Sequence, residues 1–247
     1  MLISPKKLST IWGLNPTGVL HIGAHQAEEE HQYKDLHWGH MFWVEANPKL
    51  YASLKQNLDP TNNSVLNCAA WDVDKQNLTF HETTDSQSSS LFELNKHKIH
   101  YPQILPLAQY QVQTRRIDAL FGSPPPFTFV NIDVQGAELQ VIRGIGNLIS
   151  SLEAIYSEVN REELYLGCAN VSDIDLYLKN FGFERVATRW ILGKGWGDAL
   201  YLNSKLKKRK SSKFLNLIDE SPFYSRQIIS RVFSKLRISK IVRKISG

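Results

Sequence analysis

Apolar runs of four to seven residues alternate along the chain with stretches in which apolar residues recur at helical spacing. The first pattern is typical of buried strands and the second of amphipathic helices. Strands are predicted at 18–22, 41–45, 64–69, 77–82, 127–133, 154–159, 185–190 and 199–202, and helices at 27–36, 48–57 and 171–180. This alternation predicts an α/β fold, in which a mostly parallel sheet carries helices on both faces.

The length of 247 residues suits one α/β domain with a short appendage. We expect an N-terminal extension over 1–16, a domain over 17–203, and a basic linker with an amphipathic helix over 204–247. The chain carries a net charge of +5, but residues 203–247 hold 13 Lys and Arg against Asp219 and Glu220, a net of +11. Residues 1–202 therefore carry −6, which argues against a nucleic-acid groove on the domain.

Basic and apolar residues recur at helical spacing over 225–245. Such a helix favours peripheral contact with an anionic membrane, and docking on the domain or on a partner is the alternative. No stretch of 18 apolar residues and no signal-peptide pattern occurs, so the sequence predicts a cytoplasmic protein. Cys68 and Cys168 lack metal-ligand spacing and are interpreted as small apolar residues, and no metal is expected.

Polar residues and a glycine collect at the carboxyl ends of five predicted strands: Gly23, Glu45, Asp72, Asp133 and Glu158. Because ligands of parallel sheets bind beyond the carboxyl ends of the strands, these positions predict a site. A dinucleotide site would have glycines where this chain has His25 and Glu28, and the acids at 28–30 would repel a pyrophosphate. A phosphate-free, cationic sulfonium cofactor fits this edge better.

Glu45 lies about 20 residues after Gly23, where the ribose of a nucleoside cofactor needs an acceptor. Asp72 is placed to accept a hydrogen bond from an adenine amino group, and Trp71 to flank the ring. A solvated carboxylate is the alternative for each acid.

The stretch from Asn131 to Gly144, with its pattern D-x-Q-G-x-E, is the most specific motif. Supporting stretches lie at 44–48, 88–91, 116–118, 158–167 and 196–201. Over residues 18–202 the chain resembles the FkbM-type methyltransferase family. The resemblance implies a class I methyltransferase (Rossmann-like) fold with a seven-stranded sheet, S-adenosylmethionine as cofactor, and O-methylation of a sugar, glycan or secondary metabolite.

The resemblance places the cofactor-loop glycine at Gly23 and the ribose acid at Glu45, and the acid after the fourth strand is Asp133. The expected cofactor contacts are Gly23, Ala24, His25, Glu45, Asn47, Trp71, Asp72 and Asp133. The chain departs from the family at His21, His25 and Ala27, where an acid, Asn and Gly are common. If position 27 needs a positive φ, Ala27 would cost about 1 kcal/mol.

A hydroxyl acceptor needs a group that takes its proton as the new bond forms. Asp133 is the first candidate, followed by Glu158 and His25. The expected substrate contacts are Gln135, Ser89, Ser90 and Tyr165. Glu138 either takes part in the site or stabilises the helix that follows.

Two functions of different classes remain open from the sequence. The first is an S-adenosylmethionine-dependent O-methyltransferase acting on a small-molecule or glycan hydroxyl. The second is a catalytically silent cofactor-binding or scaffold module that acts through its basic tail. A dinucleotide oxidoreductase ranks third.

Overall fold

The computed structural model describes residues 1–204. Ten strands are present in this part: β1 (Gly18–Ile22), β2 (His40–Glu45), β3 (Asn63–Asn67), β4 (Ala69–Ala70), β5 (Asn77–Thr83), β6 (Pro106–Arg115), β7 (Phe129–Ile132), β8 (Ala154–Asn160), β9 (Phe183–Trp190) and β10 (Trp196–Asn203). Seven of them form one sheet in the order β3-β2-β1-β7-β8-β10-β9. β10 runs antiparallel to both its neighbours, and the other pairs are parallel. The predicted α/β class and the mostly parallel seven-stranded sheet are confirmed.

The helices of the described part are α1 (Pro5–Trp12), α2 (Glu30–Asp35), α3 (Pro48–Asn57), α4 (His97–His100), α5 (Ile117–Leu120), α6 (Glu138–Ile145) and α7 (Val171–Lys179), with 3₁₀ turns at Ser86–Ser88 and Gly146–Ser151. None of the helices within residues 1–204 has the length and apolar character needed to span a membrane. The amphipathic helix predicted over 225–245 lies outside the described residues.

The main sheet is buried on both faces, as the continuous apolar runs predicted. Val19 and Leu20 are neighbours on β1, and each is fully buried in a different core cluster. One cluster includes α6 and α7, and the other includes α1, whose Leu8 and Trp12 are buried. Residues 1–16 thus contribute side chains to the core.

A second, three-stranded sheet with the order β4-β6-β5 lies beside the main one. The sequence analysis predicted β5 but did not include β6, although Ala108, Tyr110 and Val112 alternate with glutamines along it. Most of the side chains of β6 are exposed. β4 continues from the end of β3 and pairs with β6 through Ala69 and Ala70. This pairing carries the chain after β4 away from the main sheet.

Candidate active site

A cavity of about 600 Å³ opens at the carboxyl ends of β1, β2, β7 and β8. This is the position that the sheet topology predicts for a ligand, and the volume suits a small-molecule site. Most of the predicted site residues line it: Gly23, Ala24, His25, Glu45, Asn47, Ser89, Asp133, Gln135, Glu158 and Tyr165. The structure therefore brings these residues together in one site.

The turn after β1 has a backbone conformation that residues other than glycine rarely adopt. Gly23, His25 and Ala27 have φ values of 81°, 47° and 56°. A Cβ atom at Gly23 would collide with the carbonyl group of Asp133, so this position requires glycine. Ala27 adopts the positive φ for which the family has glycine. The strained turn brings the end of β1 against the loop after β7.

Glu45 is buried at the end of β2 and is held by backbone amides. Its Oε2 accepts from the His25 N–H at 2.9 Å, and its Oε1 accepts from the Asn47 N–H at 2.8 Å. Burial raises the pKa of Glu45. Glu45 lines the cavity, and a carboxylate can accept about four hydrogen bonds, which is more than these backbone amides supply. The side chain of Asn47 caps α3 by accepting from the N–H of Lys49 at 2.9 Å.

Gln135 joins the two carboxylates that were predicted as proton acceptors. Its Nε2 donates to Asp133 Oδ1 at 2.8 Å and to Glu158 Oε2 at 2.9 Å. The Tyr165 hydroxyl donates to Gln135 Oε1 at 2.6 Å, which fixes the orientation of the amide. Both amide hydrogens are used within the protein, so Gln135 holds the carboxylates in place rather than standing free for a substrate.

The environment of the two carboxylates favours their protonated forms. Asp133 is exposed to the cavity, but the protein that surrounds it removes bulk water and raises its pKa. Glu158 is buried, and burial together with the negative charges of Asp133 and Glu138 raises its pKa well above the ordinary value. A carboxylate whose pKa moves towards neutrality is a stronger base than an ordinary one.

Glu138 stabilises the loop that carries Gln135. This side chain is buried and accepts from the Gly136 N–H at 2.9 Å, and burial raises its pKa to about 7. Ser90 donates from its hydroxyl to the Gln135 carbonyl at 2.7 Å. Ser90 does not line the cavity, so the structure places it in support of the loop rather than in contact with a ligand.

His25 is committed to a chain of hydrogen bonds at the edge of the cavity. Its Nδ1 lies 2.7 Å from Glu28 Oε1, and its Nε2 lies 2.8 Å from Ser86 Oγ. Ser89 Oγ accepts from the Thr83 N–H at 3.1 Å. The contact between His25 and Ser86 ties the loop after β5 to the turn after β1.

Trp71 and Asp72 lie away from the cavity, contrary to the expectation that they contact adenine. The Trp71 ring packs against Phe92 with centroids 5.8 Å apart, and the Asp72 carbonyl accepts from Arg116 at 2.7 Å. The reason is the pairing of β4 with β6, which turns the chain aside. Apolar side chains line this part of the cavity instead, namely Cys68, Ala69, Ala70, Phe80 and Leu91.

Asp198 also lines the cavity, although the sequence analysis did not single it out. Its Oδ2 accepts from the Tyr156 hydroxyl at 2.6 Å and from the Leu2 N–H at 2.6 Å. Burial raises its pKa to about 6. Its place in the stretch 196–201, which resembles the family's closing strand, was the only signal for it. Within residues 1–204, no group of three or more His, Cys, Asp or Glu could hold a metal ion.

Comparison with known proteins agrees with the predicted family. The family model described as the methyltransferase FkbM domain matches residues 21–185, more than half of the chain. The chain belongs to this family, and it is a methyltransferase. The predicted resemblance and the predicted enzyme class are confirmed.

One curated relative is the 2-O-methyltransferase NoeI of Sinorhizobium fredii (strain NBRC 101917 / NGR234). It is 24% identical over 198 residues, which are 76% of this chain and 80% of that protein. Among solved structures, magnesium protoporphyrin IX methyltransferase from Synechocystis PCC 6803 has 12% identity and a TM-score of 0.43, covering 75% of this chain and 69% of that one. The 1,6-didemethyltoxoflavin-N1-methyltransferase of Burkholderia thailandensis has 11% identity and a TM-score of 0.43, covering 80% and 75%.

Proposed function

We propose that this protein is an S-adenosylmethionine-dependent O-methyltransferase whose acceptor is a hydroxyl group of a sugar, a glycan or another secondary metabolite. The observation that supports this most is the pair of carboxylates, Asp133 and Glu158, held by one Gln135 amide beside the cavity. A hydroxyl acceptor needs a base, and this pair supplies one at the place where the topology puts the ligand. Family membership favours an enzyme over a silent scaffold module.

The residues that line the cavity fit S-adenosylmethionine. Glu45 has free acceptor positions for the ribose hydroxyls, and Ala69, Ala70 and Phe80 offer apolar surface to the adenine. Gly23 lines the cavity and lets the turn after β1 lie against the Asp133 carbonyl. Carboxylates that line the cavity attract a cation over the distances of such a site. When bound, the cofactor supplies a methyl group on a positively charged sulfonium.

The protein's own part in the reaction is to position the acceptor and to receive its proton. Asp133 is exposed to the cavity and accepts the proton of the hydroxyl as the oxygen–methyl bond forms. Gln135 keeps the carboxylate of Asp133 aimed, and Glu158 shares the same amide. Positioning of the two reactants lowers the remaining barrier. The other product is the neutral thioether of the cofactor.

The choice of a hydroxyl acceptor is also supported by the relative from Sinorhizobium fredii, whose name describes it as a 2-O-methyltransferase. At 24% identity this relative guides the choice of acceptors to be tested.

Transfer of a ¹³C-methyl group from S-adenosylmethionine to a panel of glycosides, followed by NMR of the products, tests the proposal. A carbon resonance of a methyl ether on a sugar ring is the expected result. Asp133→Asn should lower kcat by roughly 10²- to 10⁴-fold, the range for loss of a general base. Methyl transfer to nitrogen only, or an Asp133→Asn variant as active as the parent protein, would contradict the proposal.

A further inference from the structure

Beyond the carboxylates, the cavity continues along a wall of four rings. Tyr165 contacts His97 with ring centroids 5.4 Å apart, and His97 contacts Tyr101 at 4.9 Å. Trp196 follows, since its Nε1 donates to the Tyr101 hydroxyl at 3.0 Å. All four rings line the cavity, and this aromatic wall starts at the residue that orients Gln135.

Two of these rings are accessible from the cavity. Tyr165 and His97 are buried, whereas Tyr101 and Trp196 are partly exposed. Lys194 Nζ lies 4.4 Å from the centroid of the Tyr101 ring and donates to the His100 carbonyl at 2.9 Å, and Trp196 is held against Tyr101 by its Nε1 hydrogen bond. The wall therefore offers an aromatic surface in the same cavity as Asp133 and Glu158.

The charges around the cavity limit what can bind on this surface. Seven of the described residues that line it are Asp or Glu, and among residues 1–204 no Lys or Arg lines it. The Met1 ammonium also lines the cavity but is paired with Glu29 Oε1 at 2.8 Å, and Lys194 Nζ beside the Tyr101 ring donates to the His100 carbonyl. A phosphate or carboxylate group inside the cavity would therefore face the repulsion of the seven acids while these two cations are already engaged. The cofactor's positive charge is compatible with this lining, but an anionic acceptor is not.

We propose that Tyr101 and Trp196 form the acceptor subsite, and that the acceptor unit bound there is an uncharged pyranose rather than a phosphorylated or carboxylated sugar. The C–H groups on one face of a pyranose carry partial positive charge and pack well on the negative face of an aromatic ring. Its hydroxyl groups remain free to reach Asp133 and other polar groups of the cavity. This inference rests on the proposed function and names the class of its acceptor.

Saturation-transfer difference NMR tests the inference without requiring turnover. The sample is the full chain with enough S-adenosylhomocysteine to fill the cofactor site. The probes are the neutral methyl glycosides of glucose, galactose, mannose and fucose, compared with glucose 6-phosphate. We expect saturation to be transferred from the protein to the ring protons of at least one neutral glycoside, and little or none to the protons of glucose 6-phosphate. Trp196→Leu should weaken that binding roughly tenfold, whereas Trp196→Phe keeps a ring and should weaken it roughly threefold or less.

Trp190→Leu is the matched control, because Trp190 lies on the neighbouring strand, contacts Arg161 with 3.8 Å between the guanidinium and the ring centroid, and does not line the cavity. The control and both Trp196 variants should bind S-adenosylhomocysteine as the parent protein does. The inference is overturned if no neutral glycoside binds, if glucose 6-phosphate binds equally well, or if Trp196→Leu matches the control. Failure of the parent protein to bind S-adenosylhomocysteine would instead refute the proposed function.

Discussion

At the scale of single residues, Gln135 shows how a side chain can be placed correctly and yet have a different role. The sequence placed it beside Asp133 on the loop after β7, and it lines the cavity there. We expected a substrate contact, but its amide is shared between Asp133 and Glu158. The amide donates both hydrogens because Glu158 arrives from a neighbouring strand, a juxtaposition that only the folded sheet creates.

Gln135→Leu should change the pH dependence of methyl transfer. The hydrogen bonds from Gln135 lower the pKa of both Asp133 and Glu158, against the raising effect of burial. Without them both pKa values rise further, so the acidic limb of the profile of kcat against pH should move to higher pH. An acidic limb that stays in place or moves to lower pH would contradict this role.

Tyr165→Phe is the control for this prediction. It removes the hydrogen bond to Gln135 Oε1 but leaves both donors to the carboxylates in place. Its acidic limb should therefore move less than that of Gln135→Leu.

Other site residues could be predicted because a position at the end of a strand was enough to place them in the site. Glu45 ends β2, Asp133 follows β7 and Glu158 lies near the end of β8, and parallel strands bring such ends together. The same argument placed Trp71 and Asp72 in the site, where they do not lie, because β4 leaves the main sheet to pair with β6. The aromatic residues Tyr101 and Trp196 come from a loop and an antiparallel strand, and no spacing in the sequence relates them.

At the scale of elements, local sequence signals predicted the ends of some helices, whereas a strained turn shifted the start of another. α3 has the bounds that were predicted, since Pro48 starts it and Asn47 caps it. The helix predicted from residue 27 begins only at Glu30, because His25 and Ala27 adopt positive φ values that no α-helix allows. The turn after β1 is shaped by its contact with the loop after β7. A helical pattern of apolar residues cannot predict such a long-range contact.

Gly23→Ala should destabilise the protein through this turn. The positive φ of Gly23 is unfavourable for alanine, and the added Cβ would collide with the Asp133 carbonyl. We expect the free energy of unfolding in urea to fall by at least about 1–3 kcal/mol, the range for a residue forced into a strained backbone conformation.

Gly122→Ala is the control for Gly23→Ala, since a Cβ at Gly122 has no neighbour within 4 Å among the described residues. Its free energy of unfolding should stay the same or rise by roughly 0.4–1 kcal/mol, because alanine restricts the unfolded chain. Equal stabilities for the two variants would refute the steric role of Gly23.

At the scale of the whole molecule, the acidic domain collects its carboxylates at one edge of the sheet. Residues 1–202 carry a net charge of −6, but the sequence alone does not show where these acids lie in the fold. The fold concentrates several of them around the cavity, where burial raises the pKa of Glu45, Asp133, Glu158 and Asp198. The charged forms of these carboxylates therefore impose electrostatic strain on the fold.

Asp198→Asn tests this strain through the pH dependence of stability. The pKa of Asp198 rises from an ordinary 3.8 to about 6 on folding. The folded protein thus holds the proton more tightly than the unfolded chain, and stability is lost as the pH rises from about 4 through 6. Asn keeps an oxygen that accepts from Tyr156 and Leu2 but carries no charge.

Relative to the parent protein, the variant should gain up to roughly 3 kcal/mol in its free energy of unfolding between pH 4 and pH 7, at about 1.4 kcal/mol for each unit of pKa. Urea unfolding at both pH values measures this gain. A variant that loses stability relative to the parent as the pH rises would show that the charge of Asp198 stabilises the fold.

The most direct test of the whole account is calorimetric titration of the full chain with S-adenosylhomocysteine, in parallel with Glu45→Gln and Glu93→Gln. Glu93 is an exposed acid outside the cavity and serves as the control. We predict binding to the parent protein and to Glu93→Gln with equal affinity. Glu45→Gln should bind roughly 10- to 100-fold more weakly, since hydrogen bonds to a charged group contribute about 1.5–3 kcal/mol. No binding by the parent protein, or equal binding by all three, would contradict the assignment of this cavity as the cofactor site.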